Sequence, residues 1–227
     1  IARRASAIVG VAAFHFPVHL NETTRAYFDR SAALATGQQA ADMRAVAKNE
    51  RDSAAAGRLS ASPFYNAQLR TTCTPTMLEG GHAPNALPQM ARALVNCRIL
   101  PGETPADVQA VLARVVADDS VKVTPIDSGK PGTASPLLPA VMTPVEKVTQ
   151  RMWPGVPVIP QMETGATDGW RLRDAGIPTY GLSGIPLDVD DVRAHGRDER
   201  IMVKSFYDGV EYMYQLVREV AVSPTKS

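Results

Sequence analysis

Apolar positions take helical spacing at the start of the chain, strand spacing in its middle, and an alternation of the two towards its end. The opening IARRASAIVGVAAF carries an apolar run from Ala7 to Phe14 behind Arg3 and Arg4. That order also marks an export signal, but His15, Phe16 and Pro17 follow where a small-residue cleavage site belongs. The run therefore reads as the back half of a buried helix that stops before Pro17. In residues 18–66, rich in Ala, Arg and Asp, Asn21 is placed to cap a helix through Tyr27, Phe28, Ser31 and Leu34 to Gly37. A second helix is expected over 38–48, and SASPFYN at 60–66 reads as a turn. No chemistry stands out here, and the stretch is expected to be a helical insertion on a core domain.

The rhythm then changes. LRTTCTPTML (69–78) is rich in β-branched residues and MARALVNCRIL (90–100) alternates apolar with polar. Two strands are therefore expected, joined through the turn-rich loop EGGHAPNALPQ. Thr104, Pro105 and Asp107 are the residue types of a capped helix start, and Val108, Val111, Leu112, Val115 and Val116 form one apolar stripe behind them. VKVTPI (121–126) reads as a short strand, giving a split βαβ pattern without its first strand. Residues 127–141, rich in Pro, Gly and Ser, are the expected linker. Beyond it, helices are expected from Thr143 to Trp153, over 167–176 and over about 203–221, the last burying Phe206, Val210, Met213, Tyr214 and Val217. VPVIP (156–160) and IPTYGLSG (177–184) read as strands between them. Such alternation implies a mostly parallel sheet with ligands at strand ends, here the loops ETGATDG and 183–199.

Composition narrows the function classes. With 44% hydrophobic and 21% charged residues among 227, the chain is globular in type and long enough for one large domain or two small ones. Lys and Arg number 24 against 23 Asp and Glu, so no electrostatic case exists for nucleic acid or anionic membrane as the main partner. No stretch approaches the ~20 apolar residues of a membrane span.

Candidate chemistry is sparse. Nucleophile-elbow, phosphate-loop and dinucleotide motifs are absent. His15 and His19 are four apart, but Pro17 lies between them and no Glu follows His15, so a helical zinc pair is not expected. His82 reads as an exposed loop residue. His195, in RAHGRDER, follows a long loop at a strand end, where a functional and a structural imidazole are both open readings. Cys73 and Cys97 lie symmetrically about Asn85, one on each expected strand. In an unslipped register their β-carbons would face each other about 4.5–5.5 Å apart. A cross-strand disulfide is expected, contributing roughly 3 kcal/mol by loop closure, with the protein in the periplasm or outside the cell. Two buried thiols in a reduced, cytoplasmic protein are the alternative.

Four segments in order carry a family resemblance: GGHAPNALP, a strand ending NCRILPGE, ETGATDGWRLRDAGIPTYGLSG, and AHGRDERIMVKSF. Together they resemble the zinc-dependent exopeptidases and amidohydrolases, a superfamily that includes carboxypeptidase S, aminoacylase, glutamate carboxypeptidase and succinyl-diaminopimelate desuccinylase. The resemblance covers nearly all of 69–221, and residues 1–16 fit a helix of the lid domain. It implies an α/β protein: a ferredoxin-like α+β lid lacking its first strand over 1–126, with the helical insertion at 18–66, then the linker 127–141. Residues 142–227 would be the C-terminal part of a mostly parallel α/β catalytic domain. It also implies a homodimer through the lid, and two zinc ions in the intact enzyme. By motif, His195 matches a metal ligand and Arg98 the arginine that grips a substrate carboxylate through both oxygens. Asn85 matches the lid asparagine near the substrate, and Gly165 and Thr167 match the loop that holds its terminal carboxylate. Asp168 reads as a helix cap.

The departure from the family pattern is as informative. The His-x-Asp metal motif, bridging aspartate, Glu–Glu pair with its general base and further acidic ligand are not found in 1–227. The sequence looks like the C-terminal portion of such an enzyme, separated from an N-terminal catalytic portion. One histidine does not hold two zinc ions, so no stoichiometric zinc and no catalytic residue are expected within this segment. The parent is expected to be a hydrolase cleaving an amide bond next to a free carboxylate in a small peptide or N-acyl amino acid. The alternative is a non-catalytic dimerisation or peptide-binding module derived from that family.

Overall fold

Side chains that close the first turn explain where several helices begin. The computed structural model describes residues 2–126, 132–165, 167–188 and 190–222. The first helix, α1, spans Ala2–Ala13 and ends before Pro17. In α2 (Glu22–Ser31) the Asn21 side chain accepts the Thr24 N–H at 2.9 Å, and Thr24 Oγ1 accepts the Asn21 N–H at 3.0 Å. This reciprocal arrangement pairs two donors that the helix itself leaves open. α3 (Gly37–Lys48) and α4 (Ser53–Leu59) follow, the latter capped by Asp52. Of the segment read as a turn at 60–66, residues 60–62 do turn, while Pro63 already starts α5 (Pro63–Leu69). Pro63 takes the first helical position, where its missing N–H costs no bond.

Two compact units emerge, one formed by Ile1–Ser135 with Pro160–Pro178, the other by Pro136–Ile159 with Thr179–Ser227. In the first, β1 (Thr72–Gly80) and β2 (Ala91–Arg98) pair antiparallel, with Thr72 opposite Arg98 and Cys73 opposite Cys97. The register breaks between Pro75 and Met77, where proline supplies no N–H to the ladder. β1 starts at Thr72 rather than Leu69, because Leu69 is buried as the last residue of α5. The stripe expected behind Thr104 forms in α6 (Pro105–Val116), whose Val108 and Leu112 pack with Val11 and Phe16 into one core. Cys73, Val95, Cys97 and Val123 line that core. Within the insertion Phe28, Met43 and Val46 are buried, as is Leu69 just beyond it.

Residues 121–126 do not form the expected strand. Val121 and Val123 are half-buried between exposed Lys122 and Thr124. The period-two pattern there reports burial rather than pairing, since the Val123 carbonyl is taken by Gln109 Nε2 at 2.9 Å. The expected strands at 156–160 and 177–184 likewise carry no ladder. Prolines 157, 160 and 178 remove donors there, and among the described residues no neighbouring strand pairs with them. The structure is thus mixed α/β with a two-stranded antiparallel sheet. Part of the expected linker, 127–131, lies outside the described residues.

The second unit is built on α7 (Pro139–Met152) and α9 (Val203–Val222); the short α8 (Gly169–Asp174) belongs to the first. α7 starts four residues earlier than expected, with Pro139 at the first helical position and Pro144 carried inside the helix. The buried face of α9 is not the expected one. Phe206 and Val217 are 50% and 60% exposed, while Ser205, Tyr212 and Leu216 are buried. Both stripes have helical spacing, and contact decides between them. Tyr212 stacks on Trp153 at 5.5 Å and joins Val145, Val148 and Leu216 in one cluster. The loop after residue 182 presses on the same face: a Cβ on Gly184 would meet the Tyr212 ring at 2.3 Å, and one on Gly209 would meet Ile185 at 2.6 Å. Among the described residues no helix is long and apolar enough to cross a membrane.

Candidate functional site

Arg98 is the last residue of β2, and the chain is fixed on both sides of it. On one side Cys97 is bonded to Cys73, with sulfurs 2.04 Å and Cα atoms 4.1 Å apart. On the other, the buried Thr71 hydroxyl accepts the Leu100 N–H at 2.9 Å and donates to Glu103 Oε2 at 2.6 Å. Arg98 itself is exposed and, among the described residues, makes no ion pair. A guanidinium on a fixed strand end, with its donors turned to water, is chemically suited to an incoming carboxylate. Asn85 lies in the loop between the strands, exposed in a turn that the Ala86 N–H closes on the Ala83 carbonyl at 3.5 Å.

Gly165 and Thr167 belong to the loop that leads into α8, and Thr167 is exposed. The loop is tied at its start, where Gln68 Nε2 donates to the Met162 carbonyl at 2.7 Å. It is tied again at its end, where the Trp170 N–H donates to the Thr167 carbonyl at 3.3 Å. The Gly165 N–H donates to Glu163 Oε1 at 3.1 Å, so this donor already accommodates a carboxylate oxygen. Asp168 stands at the N-cap position of α8, but its side chain makes no capping bond. Among the described residues no hydrogen bond joins Asn85, Arg98, Gly165 and Thr167 to one another.

His195 belongs to the second unit and adopts φ +64°, the left-handed conformation that few non-glycine residues take. The turn that imposes it closes through the Gly196 N–H to the Arg193 carbonyl at 2.9 Å. Around it runs an ion network. Arg193 bonds Asp191 and Asp198, and Arg200 grips both Asp191 oxygens at 3.1 Å. The guanidinium of Arg200 and then that of Arg193 hold the Asp191 carboxyl below the usual carboxylate range. These carboxylates are committed to arginine. Among the described residues no three His, Cys, Asp or Glu side chains come together as metal ligands. The donor set present does not by itself fit a zinc centre, which needs three or four ligands per ion.

Gln68 and Thr71 had no sequence signal, since each acts through a partner that only the fold brings near. Glu103 and Glu163 lie inside the quoted motifs NCRILPGE and ETGATDG, but nothing in those motifs marks either side chain as a partner.

A family model described as a peptidase dimerisation domain matches residues 6–124, more than half of the chain. Among curated proteins, the chain is 28% identical over 161 residues to the mouse N-fatty-acyl-amino acid synthase/hydrolase PM20D1, covering 69% of this chain and 32% of that protein. It is 28% identical to the probable carboxypeptidase S-like 2 of Dictyostelium discoideum, over 70% of this chain and 31% of that one. With human aminoacylase-1 the identity is 27%, over 74% of this chain and 41% of the relative. The chain thus spans about a third of the length of the first two relatives. In fold it is similar to the M20 family metallo-carboxypeptidase Sso-CP2 from Sulfolobus solfataricus, with a TM-score of 0.63 at 16% identity, over 96% of this chain and 52% of that one. The exposed arginine at the strand end, the glycine–threonine loop and the histidine turn thus stand in a chain that belongs to the M20 peptidase family.

Proposed function

We propose that this chain supplies the carboxylate-recognition residues and the dimerisation surface of an amidohydrolase or exopeptidase that cuts an amide bond beside a free carboxylate. The observation that carries the reading is Arg98: exposed, without an ion-pair partner among the described residues, and fixed by Cys97 on one side and Leu100 on the other. Family membership, and relatives whose names specify N-fatty-acyl-amino acid hydrolysis, carboxypeptidase and aminoacylase activity, support it. In this reading the Arg98 fork takes both carboxylate oxygens, Asn85 holds the neighbouring amide or carboxylate, and the Gly165 N–H and Thr167 hydroxyl close round the carboxylate end. Holding one end of the substrate places the scissile amide at a fixed distance along it. The substrate class is a small peptide or an N-acyl amino acid.

The same reading takes 1–126 as a lid of ferredoxin-like type that dimerises, with the insertion at 18–66. It takes 127–141 as a linker and 142–227 as part of a mostly parallel α/β catalytic domain. His195 is then one metal ligand of the assembled enzyme, whose bond-breaking groups lie outside what these residues do. The Cys73–Cys97 bond supports a periplasmic or secreted location, where such bonds persist.

The test uses the full-length protein that contains this sequence, assayed with N-acetyl and N-lauroyl amino acids, dipeptides and their carboxamides. Arg98→Ala is expected to raise KM for the carboxylate substrates by roughly 10- to 100-fold, the loss of a charge-assisted bond pair, while leaving the carboxamides unaffected. An unchanged kcat/KM for carboxylate substrates would remove Arg98 from the subsite.

A further inference from the structure

Helix α5 runs on past residue 66, the expected end of the insertion, and its Gln68 reaches the carboxylate loop. Gln68, on α5, is 0% exposed, and its Nε2 donates to the Met162 carbonyl at 2.7 Å across 94 residues of chain. Met162 immediately precedes Glu163, where the ETGATDG loop begins. The Oε1 atom of Gln68 is buried without a partner. A methionine would fill a similar volume without stranding a buried oxygen, so packing alone gives no reason for an amide here. What the amide adds is the bond to Met162. α5 is a firm post for that bond. Leu69 is buried and its carbonyl accepts the His19 N–H at 2.9 Å, while Arg70 donates to the Phe16 carbonyl at 3.0 Å and to Ser60 Oγ at 3.1 Å.

We propose that Gln68 is a positioning residue for the carboxylate subsite. By holding Met162 it sets where the Gly165 N–H and the Thr167 hydroxyl meet the substrate's carboxylate. The proposal rests on the roles given above to Gly165 and Thr167. It makes α5 the buttress of a binding loop.

Gln68→Met in the full-length protein removes the donor at nearly constant volume. Hydrogen exchange is expected to quicken at the Gly165 and Thr167 amides and to stay unchanged in α2 and α3. KM for the best carboxylate substrate is expected to rise roughly five- to tenfold with kcat within about twofold, and KM for its carboxamide to stay put. Gln68→Glu supplies a second variant: its carboxyl group, when protonated, donates to the same oxygen. Its KM should fall back towards wild type as the pH is lowered from about 8 to about 6, since burial favours the protonated acid. Gln68→Met shows no such trend. Unchanged exchange and KM in folded Gln68→Met overturn the proposal, as does an equal KM rise for both substrates, the mark of general loosening. If Gln68→Met does not fold, a KM of Gln68→Glu that ignores pH overturns it instead. Thr167→Val separates this proposal from the reading beneath it. A KM rise in Thr167→Val without one in Gln68→Met leaves the subsite standing and removes Gln68 from it. An unaltered KM in Thr167→Val removes the subsite itself, and this role with it.

Discussion

Glu163 places its own carboxylate oxygen 3.1 Å from the backbone donor that the proposed subsite offers to a substrate. The two carboxylates would compete. Glu163→Ala is therefore expected to lower KM for carboxylate substrates about threefold, less than one full neutral hydrogen bond because the site is exposed. Steady-state kinetics check it, and an unchanged KM would place the Gly165 N–H outside the subsite. A second residue pair governs stability rather than binding. Asp42, with its side chain only 4% exposed, receives Arg58 through two bonds of 2.8 and 2.6 Å. Those bonds, against the opposing effect of burial, hold the Asp42 carboxyl below its ordinary value. A carboxyl depressed in the folded state contributes stability that is complete above the unfolded pKa and fades as pH falls through the folded one, here below about pH 4. Arg58→Ala leaves a buried carboxylate with Gln38 as its remaining side-chain donor and is expected to lower stability at neutral pH. Asp42→Ala leaves only a half-exposed guanidinium and should cost less. Urea midpoints at pH 7 and pH 3 test both the order and the loss of acid sensitivity in Arg58→Ala.

At the scale of elements, the helices whose first turn is closed by neighbours in sequence were legible. Asn21 with Thr24 and Thr104 with Asp107 complete their own caps within four residues, so local pattern and structure agree. The β1–β2 pairing was legible too, because Cys73 and Cys97 mark the register from both sides. Extended segments such as 121–126 were misread because alternation of Val and polar residues follows burial on one side, whether or not a ladder exists. The buried face of α9 was illegible for another reason: two stripes compete, and the winner is set by Gly184 and Gly209, which meet only in the folded chain. Of the candidate site, the motif residues were readable, while Gln68 and Thr71 were not, since their partners are 94 and 32 residues away. Gly209→Ala should destabilise the second unit by roughly 1–3 kcal/mol through overpacking against Ile185. Gly184→Ala should do worse, because φ +61° adds backbone strain to the clash with Tyr212. Thermal unfolding followed by the near-ultraviolet signal of Trp153 and Tyr212 ranks the two, and a stability equal to wild type in either would deny its close approach.

At the scale of the molecule, membership of the family and the scatter of metal-binding side chains lead to one expectation about the isolated chain. Among the described residues no three ligands converge, so the 227 residues expressed alone should carry less than one zinc per chain by elemental analysis and hydrolyse no N-acyl amino acid or dipeptide. They should nevertheless self-associate, given the match to a dimerisation domain and the exposed Met77, Leu78 and Leu94 on the hairpin. Sedimentation equilibrium distinguishes dimer from monomer. Two zinc ions per chain, with turnover lost on chelation, would show that the site is complete without further residues.

The bond between Cys73 and Cys97 also makes a ring of everything from one sulfur round the hairpin tip to the other. That tip carries an almost fully exposed Leu87 between Asn85 and Pro88, an inviting place for a protease to cut. A single cut there opens the ring without releasing either piece. The nicked protein gains only the mass of one water and stays in one piece until a reductant is added, and its strand ends stay tethered beside Arg98. Damage at this exposed point of the hairpin is thereby confined to the tip.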